Sequence, residues 1–181
     1  LEQATFIESA GNLAGYTAPH TSHAAVIGSV AARAQLSAKD VSIVRAIVDT
    51  YYQITVSDMD SNLGAPMSLA AQRSMDAALI PCTASTQSLA RATETVAHLR
   101  RSAPHLFTRS EEPNPVVIVL GHDGGPEDEE VAASAMHVLR RETQGLVQVA
   151  ECGYDPIFNA SAEISLANAL PATRAAWTRA L

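Results

Sequence analysis

The sequence predicts a three-layer α/β domain: a mostly parallel sheet with helices on both faces. Three observations predict it. AALIP at 77–81 and VVIVL at 116–120 are short apolar runs without polar alternation, and LVQVA at 146–150 resembles them. Such runs suit strands that are buried on both faces. Stretches of helical length and composition separate them, and strands alternating with helices build a parallel sheet. A β-rich run at 51–57 (YYQITVS) precedes all three and is read as a fourth strand.

The elements follow in order. A short strand is expected at 5–8 and a small-residue helix at 21–34. At 37–50, Ser37 is an N-cap with Asp40 three residues on, a capping-box spacing. Val41, Val44, Ile47 and Val48 then form a stripe at helical spacing. After the 51–57 strand, Pro66 suits the first turn of a helix running to about Met75. The run 85–101 ends in Arg100 and Arg101, cations that a helix C-terminus favours. Pro113 and Pro115 break the chain before VVIVL. Pro126 opens a helix to Arg141, and Gly145 ends that connection. Helices close the chain near 160–169 and 172–181. Right-handed crossovers are expected between the strands.

Composition narrows the class. A chain of 181 residues is read as one α/β domain spanning 1–181, large enough to bury a core. The formal net charge is −7 and there is one lysine, Lys39, so this chain does not present a basic surface for nucleic acid. Cys82 and Cys152 lie far apart in apolar surroundings and form no CxxC motif. Buried, reduced thiols and a cytoplasmic location are expected. No apolar run reaches transmembrane length. The terminal helix around Trp177 carries only Arg174 and Arg179 as cations, too few for a membrane-binding face.

The residues with chemistry begin at Asp58. The run DMDSNLG sets Asp58 and Asp60 just beyond the expected 51–57 strand, where an open parallel sheet holds its ligand. Two carboxylates so spaced can reach a hard cation directly or through water, or can simply cap the next helix. His20 and His23 have HxxH spacing, but no third ligand accompanies them, and Thr21 and Ser22 read as helix caps. GHDGGPEDEE at 121–130 is acidic but lacks a calcium-loop pattern, and acids ahead of a helix need no ligand. A G-x-S-x-G elbow is absent from the sequence.

Four stretches in order resemble the MinD/ParA-type P-loop ATPases, including their actinobacterial members: DMDSNLG at 58–64, MDAALIPC at 75–82, VVIVLGHDGG at 116–125 and AECGYDPIF at 150–158. The likeness runs over 37–181. It implies a P-loop NTPase-like sheet, ATP and Mg²⁺ as ligands, and a homodimer formed on ATP. Carried over by residue, Asp58 matches the aspartate that acts on Mg²⁺ through water, and Gly64 the glycine of the switch loop that also holds Ser61. Asp58 and Asp60 are the candidate catalytic carboxylates. Gly121, His122 and Asp123 occupy the turn that contacts the base. Gly153, Tyr154, Asp155 and Pro156 match the turn that packs on adenine, largely through backbone.

The sequence departs from the family in two places. The glycine-rich loop KGGxGK(S/T), whose amides and lysine hold phosphate, does not occur; Lys39 lies in LSAKDVS. Asp60 and Ser61 stand where the family has prolines. Because that loop's strand is central to the fold, the domain is expected to continue upstream of Leu1. The function implied is an ATP-dependent dimerisation switch for partitioning, positioning or secretion-related cargo, cytoplasmic or peripheral at a membrane, with this chain inactive by itself. The alternatives are a non-catalytic module that binds a protein partner, and an unrelated α/β enzyme using Asp58 and Asp60 with a metal.

Overall fold

The structure is a computed structural model. It describes residues 12, 13, 15, 17–19, 24–27, 37–59, 61–108, 114–122, 124, 128–159, 164 and 166–180. The expected strand at 5–8 lies outside these residues, as does most of the expected helix at 21–34, whose described part, 24–27, holds a two-residue strand and no helix. The chain divides into two compact units, Leu1–Ser74 and Met75–Leu181.

In the first unit, a two-residue antiparallel ladder joins β1 (Ala18–Pro19) to β2 (Ala25–Val26). Helix α1 (Ala38–Tyr51) starts as the sequence predicts. Asp40 N–H donates to Ser37 Oγ at 3.3 Å, and Ser37 N–H donates back to Asp40 Oδ2 at 2.8 Å, completing the capping box. These hydrogen bonds, led by the one from the Ser37 backbone, hold the Asp40 carboxyl below its usual range. Arg45 and Asp49 pair one turn apart at 2.6 Å. Helix α2 (Pro66–Ser74) packs on α1. Its fully buried Gln72 donates from Nε2 to Leu63 O at 2.9 Å, fastening the preceding loop. A buried amide requires such a partner.

The expected strand at 51–57 does not form. Tyr51 ends α1, Tyr52 N–H caps it on Val48 O, and 52–59 adopts neither strand nor helix. Ile54 and Val56 are 83% and 85% exposed. Strand propensity records how well a residue packs on a pleated surface, and no neighbouring strand among the described residues supplies one. Among the described residues the parallel sheet therefore has three strands rather than four.

The second unit matches the predicted order closely. Its strands β3 (Ala78–Thr83), β4 (Val116–Gly121) and β5 (Gln148–Cys152) are parallel and lie side by side in sequence order. Ile80 pairs with Ile118, and Ile118 with Val149. Helices α3 (Thr86–Ser102) and α4 (Asp128–Glu142) cover one face, and α5 (Pro171–Ala180) covers part of the other. Two crossovers of one hand stepping in one direction place their helices on the same side, as α3 and α4 are.

The main core joins Ile80, Val116, Ile118 and Leu120 to Val96 and Leu99 of α3 and Leu139 of α4. On the opposite face Val117, Val119 and Cys152 meet Ala176 and Trp177 of α5. All five residues 116–120 are buried, which is why VVIVL shows no alternation. Asn114 pins the start of this strand: Nδ2 donates to Leu146 O at 3.0 Å and Oδ1 accepts from Val116 N–H at 2.9 Å.

Two boundaries shift. The third parallel strand begins at Gln148, not 146, because α4 ends in a Schellman motif that uses Gln144 and Gly145. Gly145 N–H donates to Arg140 O and Gln144 N–H to Arg141 O, each at 3.1 Å, with both residues at positive φ (56° and 71°). The chain needs 146–147 to descend from that cap to the sheet. In place of the described part of the expected 160–169 helix is a 3₁₀ turn, Leu166–Asn168.

Candidate functional site

An open cleft of about 480 Å³ lies at the carboxyl ends of β3, β4 and β5. This is where open parallel sheets place their ligands, because helix N-termini and connecting loops converge there. Four groups of residues build it.

The turn from β3 to α3 supplies Thr83 and Ser88. Ser85 caps the helix by accepting from Ser88 N–H at 3.3 Å, and Ser88 Oγ accepts from Thr83 N–H at 2.9 Å. Thr83 Oγ1 lies 3.3 Å from Ser85 Oγ. These hydroxyls fix the turn itself.

The end of β4 supplies Gly121 and His122. His122 N–H donates to Cys152 O at 3.1 Å and extends the β4–β5 ladder by one residue. The His122 side chain is only 9% exposed. Its Nε2 lies 2.7 Å from Glu151 Oε1, yet no acceptor is aligned with the ring N–H direction. The carboxylate is therefore a neighbouring charge, not an aligned hydrogen-bond partner.

The segment after β5 supplies Gly153, Tyr154, Asp155, Phe158 and Asn159. Asp155 is 3% exposed. Its Oδ1 accepts from Ile157 N–H at 3.0 Å and its Oδ2 from Leu170 N–H at 2.7 Å. Burial pushes this carboxyl up, but the Ile157 and Leu170 amides and the Thr173 hydroxyl together outweigh burial and hold it below its usual range. Asp155 thus ties the post-β5 turn to the start of α5. Tyr154 OH accepts from Asn159 Nδ2 at 3.3 Å. Its ring lies so close to Gly124 that a Cβ there would meet Tyr154 Cγ at 2.8 Å. Gly124 is also at φ +80°, a conformation glycine tolerates best.

Trp177 from α5, with Pro81 and Val119 from the sheet, gives the cleft an apolar wall. Both cysteines lie in its floor as free, buried thiols. Burial pushes the Cys82 thiol up to about 11, and burial together with the Asp155 charge raises Cys152. Neither is a ready thiolate at neutral pH.

The sequence-predicted residues fall into two sets. Gly121, His122, Gly153, Tyr154 and Asp155 come together in this cleft, while Pro156 opens the adjoining 3₁₀ turn Pro156–Asn159. Asp58, Ser61 and Gly64 belong to the first unit, between α1 and α2. Asp58 is exposed and, with no strand before it, does not stand at a strand end. Gly64 sits in a turn closed by Ala65 N–H on Asn62 O at 3.1 Å. Asp60, Asp123, His20 and His23 lie outside the described residues. Among the described residues, no three His, Cys, Asp or Glu side chains gather as a metal site, and no helix is long and apolar enough to cross a membrane.

Sequence reasoning missed Thr83, Ser88, Phe158, Asn159 and Trp177. Thr83 and Ser88 were legible in principle, since they follow a clear apolar strand and open a helix. Trp177 reaches the cleft only because α5 packs on Val117 and Val119, nearly sixty residues earlier in the chain. No protein-family model matches the chain, and no curated protein matches it.

Proposed function

We propose that this chain carries the base-binding side of a MinD/ParA-like ATPase, with the cleft at the carboxyl edge of the sheet as its nucleotide site. The observation that carries the reading is that cleft, lined by residues 121–122 and 153–155 of the two turns that the family resemblance assigns to the base. Its location agrees with the general placement of ligands in parallel α/β sheets. In the intact switch, ATP and Mg²⁺ drive dimerisation and hydrolysis releases a partner. Asp58 is the candidate Mg²⁺ carboxylate. Asp60 and Ser61, with Gly64, belong to a loop that responds to nucleotide. These 181 residues hold no KGGxGK(S/T) loop to neutralise the transferred phosphoryl group, so the expected behaviour of this chain alone is binding without turnover.

Calorimetric titration of the chain with ATP, with and without Mg²⁺, tests this directly. Saturable binding without phosphate release is the expected result. No heat of binding at millimolar ATP sinks the reading.

One observation favours a second reading, a non-catalytic module that binds a protein partner: Asp58 is exposed on a segment that is not a strand. Nucleotide binding that ignores Mg²⁺ and leaves Asp58→Ala unaffected would support that reading over the first.

A further inference from the structure

Aromatic residues are scarce in this chain, at 4% of its composition. Three of them nevertheless line one cleft: Tyr154, Phe158 and Trp177. They arrive from two separate elements. Tyr154 and Phe158 come from the segment after β5, and Trp177 from α5. Local sequence does not force that convergence.

Two of the three leave much of their surface open. Tyr154 is 42% and Phe158 47% exposed, and Trp177 is half-buried. Tyr154 is held in place rather than free to swing, with Gly124 against its ring and Asn159 on its hydroxyl. Phe158 N–H donates to Asp155 O at 3.2 Å, and Asp155 is anchored in turn by Leu170. Aromatic surface left open on fixed backbone loses little entropy when a flat ligand covers it.

The polar side chains in the same cleft are engaged, except His122, whose Nε2 has no aligned partner but is sealed from solvent beside Glu151. Asp155 accepts from two backbone amides, Ser88 from Thr83, and Asn159 donates to Tyr154. Groups so engaged are poorly placed to read the hydrogen-bonding edge of a ligand ring. What the cleft offers is chiefly aromatic and apolar surface.

We infer that Tyr154, Phe158 and Trp177 form a stacking platform for the planar ring of a purine nucleoside, recognising its face rather than its edge. The inference rests on the nucleotide reading above and assigns to side chains a role that the family resemblance implies for backbone. Stacking is tolerant of base identity because every base has a π-face. Adenine and guanine nucleotides should accordingly bind with similar affinity.

Trp177 is the chain's single tryptophan, so its emission reports on this cleft alone. The full 181-residue chain is titrated with ATP, GTP, adenosine and inorganic tripolyphosphate, following Trp177 emission and, in parallel, heat. The expected result is saturable quenching by ATP, GTP and adenosine, with ATP and GTP affinities within about tenfold of one another, and none by tripolyphosphate. Phe158→Leu keeps apolar bulk but removes the ring and should weaken nucleoside binding by about tenfold, the usual scale for one stacked base. Circular dichroism confirms that the variant is folded, as a half-exposed position allows.

ATP that binds by heat without altering Trp177 emission, and equally well to Phe158→Leu, overturns the platform and leaves the nucleotide reading standing. A response to tripolyphosphate equal to that of ATP, or strong preference for one purine, also overturns it. Absence of binding by every ligand overturns both.

Discussion

The two units obey the same local rules with different results. In Leu1–Ser74 the described apolar side chains that become buried are Leu13 and Val48, whereas Met75–Leu181 buries a continuous core on β4 and both faces of its sheet. Both contain well-signalled helices. The capping box of α1 is as complete as any cap in the second unit, and α1 forms where predicted. The strands separate the two. VVIVL finds a strand on each side and helices above and below. The equally β-prone QITV finds neither and stands open to solvent. A helix satisfies its own backbone hydrogen bonds, whereas a strand depends on a neighbour.

The largest test of this contrast lies in the second core. Leu139 is fully buried between α4 and the sheet, and Leu139→Ala should cost about 2–5 kcal/mol in urea unfolding. A smaller loss would mean that the site collapses around the deletion and that this core is not closely packed.

Acid should reveal the next effect. The folded Asp155 carboxyl sits below its usual range. Its contribution is therefore present above the unfolded pKa, near 3.8, and is lost as pH falls through the folded value. Asp155→Asn should lower the thermal midpoint at pH 7 and flatten the wild-type decline below pH 4. Parallel pH profiles for the two proteins would exclude Asp155 as the tie between the post-β5 turn and α5.

The caps sharpen the comparison further. Ser37→Ala should destabilise α1 by about 1 kcal/mol, read as lost helical protection in hydrogen exchange across 38–51. Gln144 is a non-glycine residue at the left-handed position of a Schellman cap. Gln144→Gly should stabilise the second unit by roughly 0.5 kcal/mol, since relief of the left-handed strain exceeds the added freedom of the unfolded chain. Destabilisation there would point to a contact of the Gln144 side chain that outweighs the strain.

The smallest expected change is Ile54→Ser with Val56→Ser. Exposed apolar residues outside an element typically alter stability by under about 0.5 kcal/mol. A loss of more than 2 kcal/mol would show that 52–57 is buried in the protein in solution, which would break the contrast between the units.

Much of the second unit could be read directly from sequence. The unalternated strands, the arginines ending α3 and the proline-bounded start of β4 all encode their own surroundings. The turns 121–122 and 153–156 could be placed because each follows a clear strand. Asp58 could not be placed, since its position depended on a strand that needs a distant partner. Phe158 and Trp177 were illegible as site residues for a related reason. Nothing near Trp177 in sequence indicates that α5 packs beside the strand ends.

The sequence by itself determined the α/β class, the helices with their caps and the buried parallel strands, because hydrophobic period and capping chemistry act over a few residues. Only the tertiary structure decided which β-prone runs became strands and which aromatics met in the cleft. Those outcomes depend on hydrogen bonds and packing between segments tens of residues apart, which no local pattern specifies.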